Sequence, residues 1–302
     1  VGDLRFTATI RQERRNDMCE FCTTHGEGKK WYLQVKNYSE ELLHHELSSS
    51  QKEIVKASTR SEWLANYFEH EVAPAATGVP RTPTEPAKPT DAQPSVDEYV
   101  RARKVEQFGQ VIPIEDLQQV VDIADSITRM ACACRFVTTG RKDQRYCFGL
   151  GVDKWGVLGR FPDAAASLEV LDKDVAKGAL REYDEEGLIH TVWTGVTPYI
   201  CIACNCDRDC RPYRRYLDKS GTHAFFRGEY ISQVDWDLCT GCKACMQQCQ
   251  FGAQFYSSAL GKVHVDPARC FGCGVCRAVC PHDAIALIPR QEHREAAELW
   301  LR

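Results

Sequence analysis

The sequence predicts an α+β chain. It comprises a helical N-terminal segment, an extended Pro-rich linker, a mostly helical cysteine-rich upstream domain and a small carboxy-terminal domain. Three observations carry this. Apolar residues recur at helical spacing in several upstream stretches, beside one short run of strand character. Six of the thirteen prolines crowd residues 74–94. Residues 235–256 recur as 266–287, an internal repeat with an offset of 31.

Taken in order, residues 1–72 are expected to be helical over 38–70. Leu42, Leu43 and Leu47 keep helical spacing there, with Ser39 at the N-cap position. Residues 73–98, rich in Pro, Ala and Thr and without a hydrophobic period, read as a plain tether or as a strap laid over a neighbour. Residues 99–228 form the cysteine-rich module. In it Pro113 opens a helix to about Arg129, striped by Leu117, Val120, Val121, Ala124 and Ile127. That helix would deliver the Cys132-Ala133-Cys134 turn as a rigid arm. A second helix covers about 174–186, with Val175, Ala179, Leu180 and Tyr183 on one face and Gly187 as its stop, and 188–193 reads as a strand. The repeat occupies 229–289, and 290–302 is a helical tail.

With 302 residues, 43% hydrophobic and 26% charged, the chain can bury a sizeable core. A formal charge of −4 excludes a general nucleic-acid binder, which needs a basic surplus. No apolar run approaches the roughly 20 residues of a membrane span. No secretory or twin-arginine leader opens the chain, and Val1 implies that an initiator methionine or longer leader has been trimmed.

The outlier is cysteine, at seventeen. Most stand one to three residues apart, whereas disulfide frameworks tie distant segments, and cysteines so close rarely pair without strain. Clustering of this kind suits thiolates converging on metal in a reducing, cytoplasmic compartment. The repeat makes the chemistry specific. Its copies read Cys239-x2-Cys242-x2-Cys245-x3-Cys249 and Cys270-x2-Cys273-x2-Cys276-x3-Cys280, the latter followed by Pro281. In this spacing three thiolates wrap one cubane cluster while the fourth, on a short helical turn, serves the other. One cluster therefore takes Cys239, Cys242, Cys245 and Cys280, and the second takes Cys270, Cys273, Cys276 and Cys249. Paired zinc knuckles would gain nothing from the third cysteine of each motif.

These motifs resemble the bacterial-type ferredoxin domain carrying two [4Fe-4S] clusters. All eight ligand positions are present, as are Gly241, Gly272 and Gly274, which let the backbone approach the clusters. One departure is Gln250, where proline often follows the last cysteine. The resemblance covers one fifth of the chain. It implies a pseudo-twofold domain of short helices and two hairpins, stabilised largely by cluster ligation.

Upstream, Cys132-x-Cys134-Arg135, then Cys147, then Cys201-x2-Cys204-x-Cys206-x3-Cys210 put seven thiols into 79 residues. These phrases are similar to a module of some ferredoxin-fused anaerobic redox proteins, and the similarity implies ligands for a further cluster. Arg135 either sits beside that cluster, raising its potential, or lies on the surface. Cys19-x2-Cys22-x2-His25 supplies three ligands, one short of a closed site. It suits a further iron–sulfur cluster, a zinc completed by a spare thiol, or inert or redox-regulatory thiols. Lys29 and Lys30 beside Trp31 form a solvated pair or a dock for an anionic partner.

No C-x3-C-x2-C triad, G-x-G-x-x-G, P-loop or C-x2-C-H occurs, so radical SAM, dinucleotide, nucleotide and haem chemistry lack a motif. The favoured expectation is an iron–sulfur electron-transfer subunit of an anaerobic oxidoreductase complex. It would carry two [4Fe-4S] clusters and either one or two more or one zinc, and would pair with a flavoprotein or another oxidoreductase subunit. The alternative is a catalytic oxidoreductase whose upstream cluster is open to substrate and fed by the ferredoxin domain.

Overall fold

The computed structural model describes residues 30–39, 60–79, 109–152, 162–195, 199–213, 225–297 and 299. Cys19, Cys22, His25, residues 40–59 of the expected first helix and most of the proline-rich stretch lie outside the described residues.

Two 3-10 turns (Trp31–Leu33 and Val35–Tyr38) come first, and a helical rod follows. It is composed of α1 (Arg60–Tyr67), a π-helical turn (Phe68–Val72) and α2 (Ala73–Thr77). The first five residues of the expected linker thus belong to the rod. Pro74 follows directly on the π-helical turn, inside the continuous rod.

The upstream module is built on a seven-stranded sheet, which corrects the expectation of a mostly helical domain. Its strands are β1 (Gly109–Val111), β2 (Ile127–Met130), β3 (Cys147–Leu150), β4 (Glu169–Leu171), β5 (Ile189–Thr194), β6 (Ile200–Cys206) and β7 (Phe225–Phe226). Their order is β4-β2-β3-β6-β5-β1-β7, antiparallel throughout except for β1 beside β7. The sheet is covered on both faces, so β3, β5 and β6 are buried almost throughout and do not alternate. Short buried strands give no period to tell them from buried helix.

The long helix expected from Pro113 is likewise shorter. α3 (Ile114–Ile123) ends where Ala124 turns extended, and Ile127–Met130 is the strand β2. Gly151 N–H donates to Ser126 C=O at 2.8 Å, drawing this stretch against β3. A strand, not a helix, therefore delivers Cys132. Cys132 is the N-cap of α4 (Ala133–Thr139).

One face of the sheet packs on α3 and α6 (Lys173–Glu185), around Leu117, Val120, Phe148, Leu180 and Val192. The α6 helix falls within one residue of its expected bounds, with Asp172 capping Asp174 N–H at 2.8 Å. Val175, expected on the buried face, is 57% exposed, and Ala176 takes its place. The opposite face packs on the rod, α4 and α5 (Pro162–Ser167), and carries the upstream cysteines.

The carboxy-terminal unit contains β8 (Tyr230–Val234), α7 (Ala244–Gln248), β9 (Gln254–Ser257), β10 (Lys262–Val265), α8 (Val275–Ala278) and β11 (Ile285–Pro289). Of the two expected hairpins, β9–β10 is one. The other pair joins the first strand, β8, to the last, β11, so the chain closes on itself around the repeat. The expected helical tail begins as a 3-10 turn (Arg290–Glu292).

This unit is docked on the upstream module. Phe251 stacks on Phe271 at 4.1 Å and meets Tyr213 at 5.6 Å. Arg277 pairs with Glu115 at 2.8 Å. Lys30 is engaged internally: it pairs with buried Asp116 at 2.9 Å beside a buried Trp31. Lys30 is thereby tied to the fold, and Lys29 lies outside the described residues.

Candidate functional site

The two copies of the repeat build two interleaved thiol sets. Gly241 and Gly272 take positive φ within their loops, and each lies against backbone: a Cβ on Gly272 would stand 2.0 Å from Tyr230 O, and one on Gly241 would stand 2.2 Å from Gly261 O. Only glycine lets the loop come this close. Gly274 and its repeat counterpart Lys243 both adopt the left-handed conformation that starts the short helices α8 and α7. Lys243 carries that strain with its ammonium 4.1 Å from the Tyr256 ring.

Cys239, Cys242, Cys245 and Cys280 line one cavity, together with Val263, His282 and Ile285. Burial and the nearby sulfurs of Cys242, Cys280 and Cys239 push the Cys245 thiol up to about 11. In the second set burial pushes up Cys273, which feels Cys276, Cys249 and Cys270. Burial likewise lifts Cys276 to about 12, where Cys270, Cys249 and Cys245 add to it. The last cysteine of each motif thus lies with the opposite loop. Four thiols held apart but aimed at one space suit a cluster, whose thiolates bind four separate irons.

Donors to sulfur are already in place. Ala253 N–H points at Cys249 Sγ at 3.2 Å, and Ala284 N–H points at Cys280 Sγ at 3.3 Å, symmetric positions of the repeat. Ser232 Oγ lies 3.2 Å from Cys276 Sγ, a contact from β8 that the motif spacing does not reveal. Cys242 is exposed, whereas Cys270, Cys273 and Cys276 are all buried, so the first set faces outward and the second faces inward.

Upstream, the fold gathers six of the seven expected cysteines. Cys132 comes from the β2–α4 turn, Cys134 from the first turn of α4, Cys147 from β3, Cys204 and Cys206 from β6, and Cys210 from the turn after it. Cys132 Sγ lies 3.4 Å from Cys147 Sγ. Hydrogen bonds from Cys204 and Cys210 hold the Cys206 thiol well below its usual range. Cys134 is pushed up to about 11 by burial. Cys201 lies at the β5–β6 irregularity between the Thr194–Ile200 and Trp193–Ile202 pairs, with its thiol 3.8 Å from Tyr199 O, in the same apolar cluster.

Arg135 is buried, 3% exposed, and so is no surface arginine. Its guanidinium reaches Cys132 Sγ at 3.4 Å, Asn205 O at 3.0 Å and Asp207 Oδ2 at 2.9 Å. Burial opposes its charge, but Cys210, Cys132 and Asp207 outweigh that and keep it a cation. Asp207 was not singled out from sequence, although its place directly after Cys206 was the available signal.

Among the described residues no helix is long and apolar enough to cross a membrane. Relatives of known activity share only a stretch of the chain. The match to the archaeal-type glutamate synthase [NADPH] of Thermotoga sp. (strain RQ2) is 36% identical over 59 residues, 20% of this chain and 12% of that protein. The indolepyruvate oxidoreductase subunit IorA of Pyrococcus abyssi is 42% identical over 62 residues, 20% of this chain and 10% of its own. A subunit of the ion-translocating oxidoreductase complex of Methanosarcina acetivorans is 41% identical over 61 residues, 20% of this chain and 22% of its own. The shared stretch is thus under a quarter of each relative's length. No solved structure matches. Residues 238–285 match the family of the 4Fe-4S dicluster domain, so the chain carries a ferredoxin-type iron–sulfur domain for two [4Fe-4S] clusters, joined to a separate cysteine-rich module.

Proposed function

We propose that this chain is the electron-transfer subunit of an oxidoreductase complex, relaying single electrons and transforming no substrate of its own. Cys239, Cys242, Cys245 and Cys280 would hold one cluster and Cys270, Cys273, Cys276 and Cys249 the other. The observation that carries this reading is the cavity at which the first four thiols meet, with Cys242 at the surface. A cluster there has full cysteine ligation, which leaves no iron open to substrate, and its exposed edge is where a partner takes or gives an electron. When bound, such clusters supply one-electron redox chemistry. The residues around them fix the sulfurs, donate N–H groups to them and exclude water from the inner set.

The partner would be a flavoprotein or another redox subunit, and the setting a reducing, oxygen-poor cytoplasm. The catalytic alternative asks for an upstream cluster lacking one cysteine. Six gathered thiols, four of them buried, favour a fully ligated centre instead.

The test is reductive titration of the full chain, prepared without oxygen, alongside Cys280→Ser and Cys249→Ser. The wild type should take up at least about two electrons, one per cluster. Cys280→Ser should perturb the cluster of Cys239, Cys242 and Cys245 while leaving the signal of the other. Loss of the signal belonging to Cys270, Cys273 and Cys276 in Cys280→Ser would overturn the assignment.

A further inference from the structure

The six upstream thiols lie outside the dicluster domain, and that domain's clusters do not need them. We infer that Cys132, Cys134, Cys147, Cys204, Cys206 and Cys210 supply the ligands of a third iron–sulfur centre, wired through Cys206 and Gln250 to the cluster of Cys249, Cys270, Cys273 and Cys276. This rests on the electron-transfer reading and deepens it by naming a third site and the order of the chain of centres.

Two observations converge on it. First, the β2–α4 segment, β3, and β6 with its following turn bring the thiols to one covered face of the sheet, and a backbone donor meets sulfur there as in the dicluster domain. Tyr146 N–H points at Cys132 Sγ at 3.1 Å, as Ala253 and Ala284 N–H do at Cys249 and Cys280, at 3.2 and 3.3 Å. Backbone donors aimed at sulfur stabilise thiolate, and thiolate is the form that binds iron.

Second, buried Arg135 sits against Cys132 with a single carboxylate, Asp207, which is itself partly open to water. A neutral thiol does little for a buried guanidinium. A cluster with four thiolates carries net negative charge and would add to the Asp207 carboxylate as counterion. Arg135 in turn makes reduction of that cluster easier.

The wiring follows from Gln250, the residue that departs from the usual proline. Its amide donates to Gly187 O at 2.5 Å and to Cys206 O at 3.4 Å, while its backbone continues directly from Cys249. Cys249 and Cys273 pack in the same apolar cluster as Cys132, Cys147, Cys206 and Cys210. Cys276 in turn joins Cys239, Cys245 and Cys280 in the next cluster of buried side chains. The order is therefore upstream centre, inner ferredoxin cluster, outer ferredoxin cluster, surface. Each step moves one electron, the reduced cluster losing what its oxidised neighbour gains.

Iron and acid-labile sulfide are measured on the full chain prepared without oxygen, with spectra of the reduced protein, for the wild type, Cys206→Ser, Cys201→Ser and Arg135→Gln. Three centres require about 12 iron and 12 sulfide per chain. Cys206→Ser should fall to about 8, a loss of one third, and keep both ferredoxin signals; Cys201→Ser should stay at about 12. Arg135→Gln should keep the iron while one midpoint potential falls and two stay in place, which supports the site without depending on the folding of Cys206→Ser. A wild type at about 8 iron overturns the third centre and leaves the electron-transfer reading standing, whereas clearly fewer than about 8 overturns that reading itself. A Cys206→Ser variant that retains all its iron, or a Cys201→Ser variant that loses a cluster, also overturns the ligand set.

Discussion

Gly272→Ala is the sharpest probe of how tightly the cluster loops are built. The residue sits at φ +72°, and an added Cβ would stand 2.0 Å from Tyr230 O and 2.7 Å from Tyr230 C, where real contacts are never under 3.0 Å. The left-handed conformation alone costs an alanine about 1–2 kcal/mol. The clash cannot be relieved by a side-chain rotation, since both atoms are backbone of β8. That strand is pinned on its far side by β11 and by Arg290, whose guanidinium bonds Gly228 O, Tyr230 O and Cys270 O, each at 2.8 Å. Forcing the loop or the strand outward by about 1 Å adds an overpacking cost of roughly 1–3 kcal/mol, for a total of about 2–5 kcal/mol. Gly261 supplies the control: its φ is +65°, yet a Cβ there meets nothing within 4 Å. Gly261→Ala should therefore cost only the conformational part, about 1–2 kcal/mol. The assay is anaerobic denaturant unfolding of both variants, followed by the visible absorbance of the clusters and by iron retention. Gly272→Ala should lose the cluster of Cys270, Cys273 and Cys276 at lower denaturant than Gly261→Ala loses either cluster. Equal midpoints and equal iron in the two variants would refute the reasoning, because the clash would then carry no cost.

Three further outcomes are expected. Burial opposes ionisation of Glu115, but Arg277 outweighs it and holds the carboxyl below its usual value of 4.5. A depressed carboxylate stabilises the docked domains above that value and loses its effect as pH falls below it. Glu115→Gln should thus cost up to about 1 kcal/mol at pH 7, less in high salt, and progressively less as pH falls through the depressed titration of Glu115, read by urea unfolding. Asp172→Ala removes the cap on Asp174 N–H and should lower stability by about 1 kcal/mol without changing iron content. Thiols raised to about 11 at Cys245 and about 12 at Cys276 hold their protons in the cluster-free fold, so that fold weakens as pH rises past 9.0 toward those values. Because ligation needs thiolates and releases protons, cluster reconstitution should become more favourable from pH 7 to 9, measured as iron bound at fixed iron and sulfide.

The dicluster domain was legible in the sequence because cluster ligation is written locally. Each loop carries three of its ligands within seven residues, from Cys239 to Cys245 and from Cys270 to Cys276, and the repeat itself announces the exchange of the fourth. The α6 helix was equally legible, from Ala179, Leu180 and Tyr183 on one face and its Gly187 stop, although Ala176 rather than Val175 is buried there. The upstream sheet was not. The segment from Ile127 to Met130 fits a helical stripe as well as a strand, and the apolar run of β6 is buried on both sides, so periodicity has nothing to choose between. Only the antiparallel pairing of β2, β3, β5 and β6 places Cys132, Cys147 and Cys206 on one face, with Cys201 at the β5–β6 irregularity. Spacing along the chain says which thiols exist, but which of them meet across dozens of residues is decided by register, and register is a property of the packed sheet. The same holds for Gln250 and Arg135. The sequence marks one as a missing proline and the other as a charge beside a cysteine. Tertiary contact alone turns the first into the link between the two modules and the second into a buried cation among thiols.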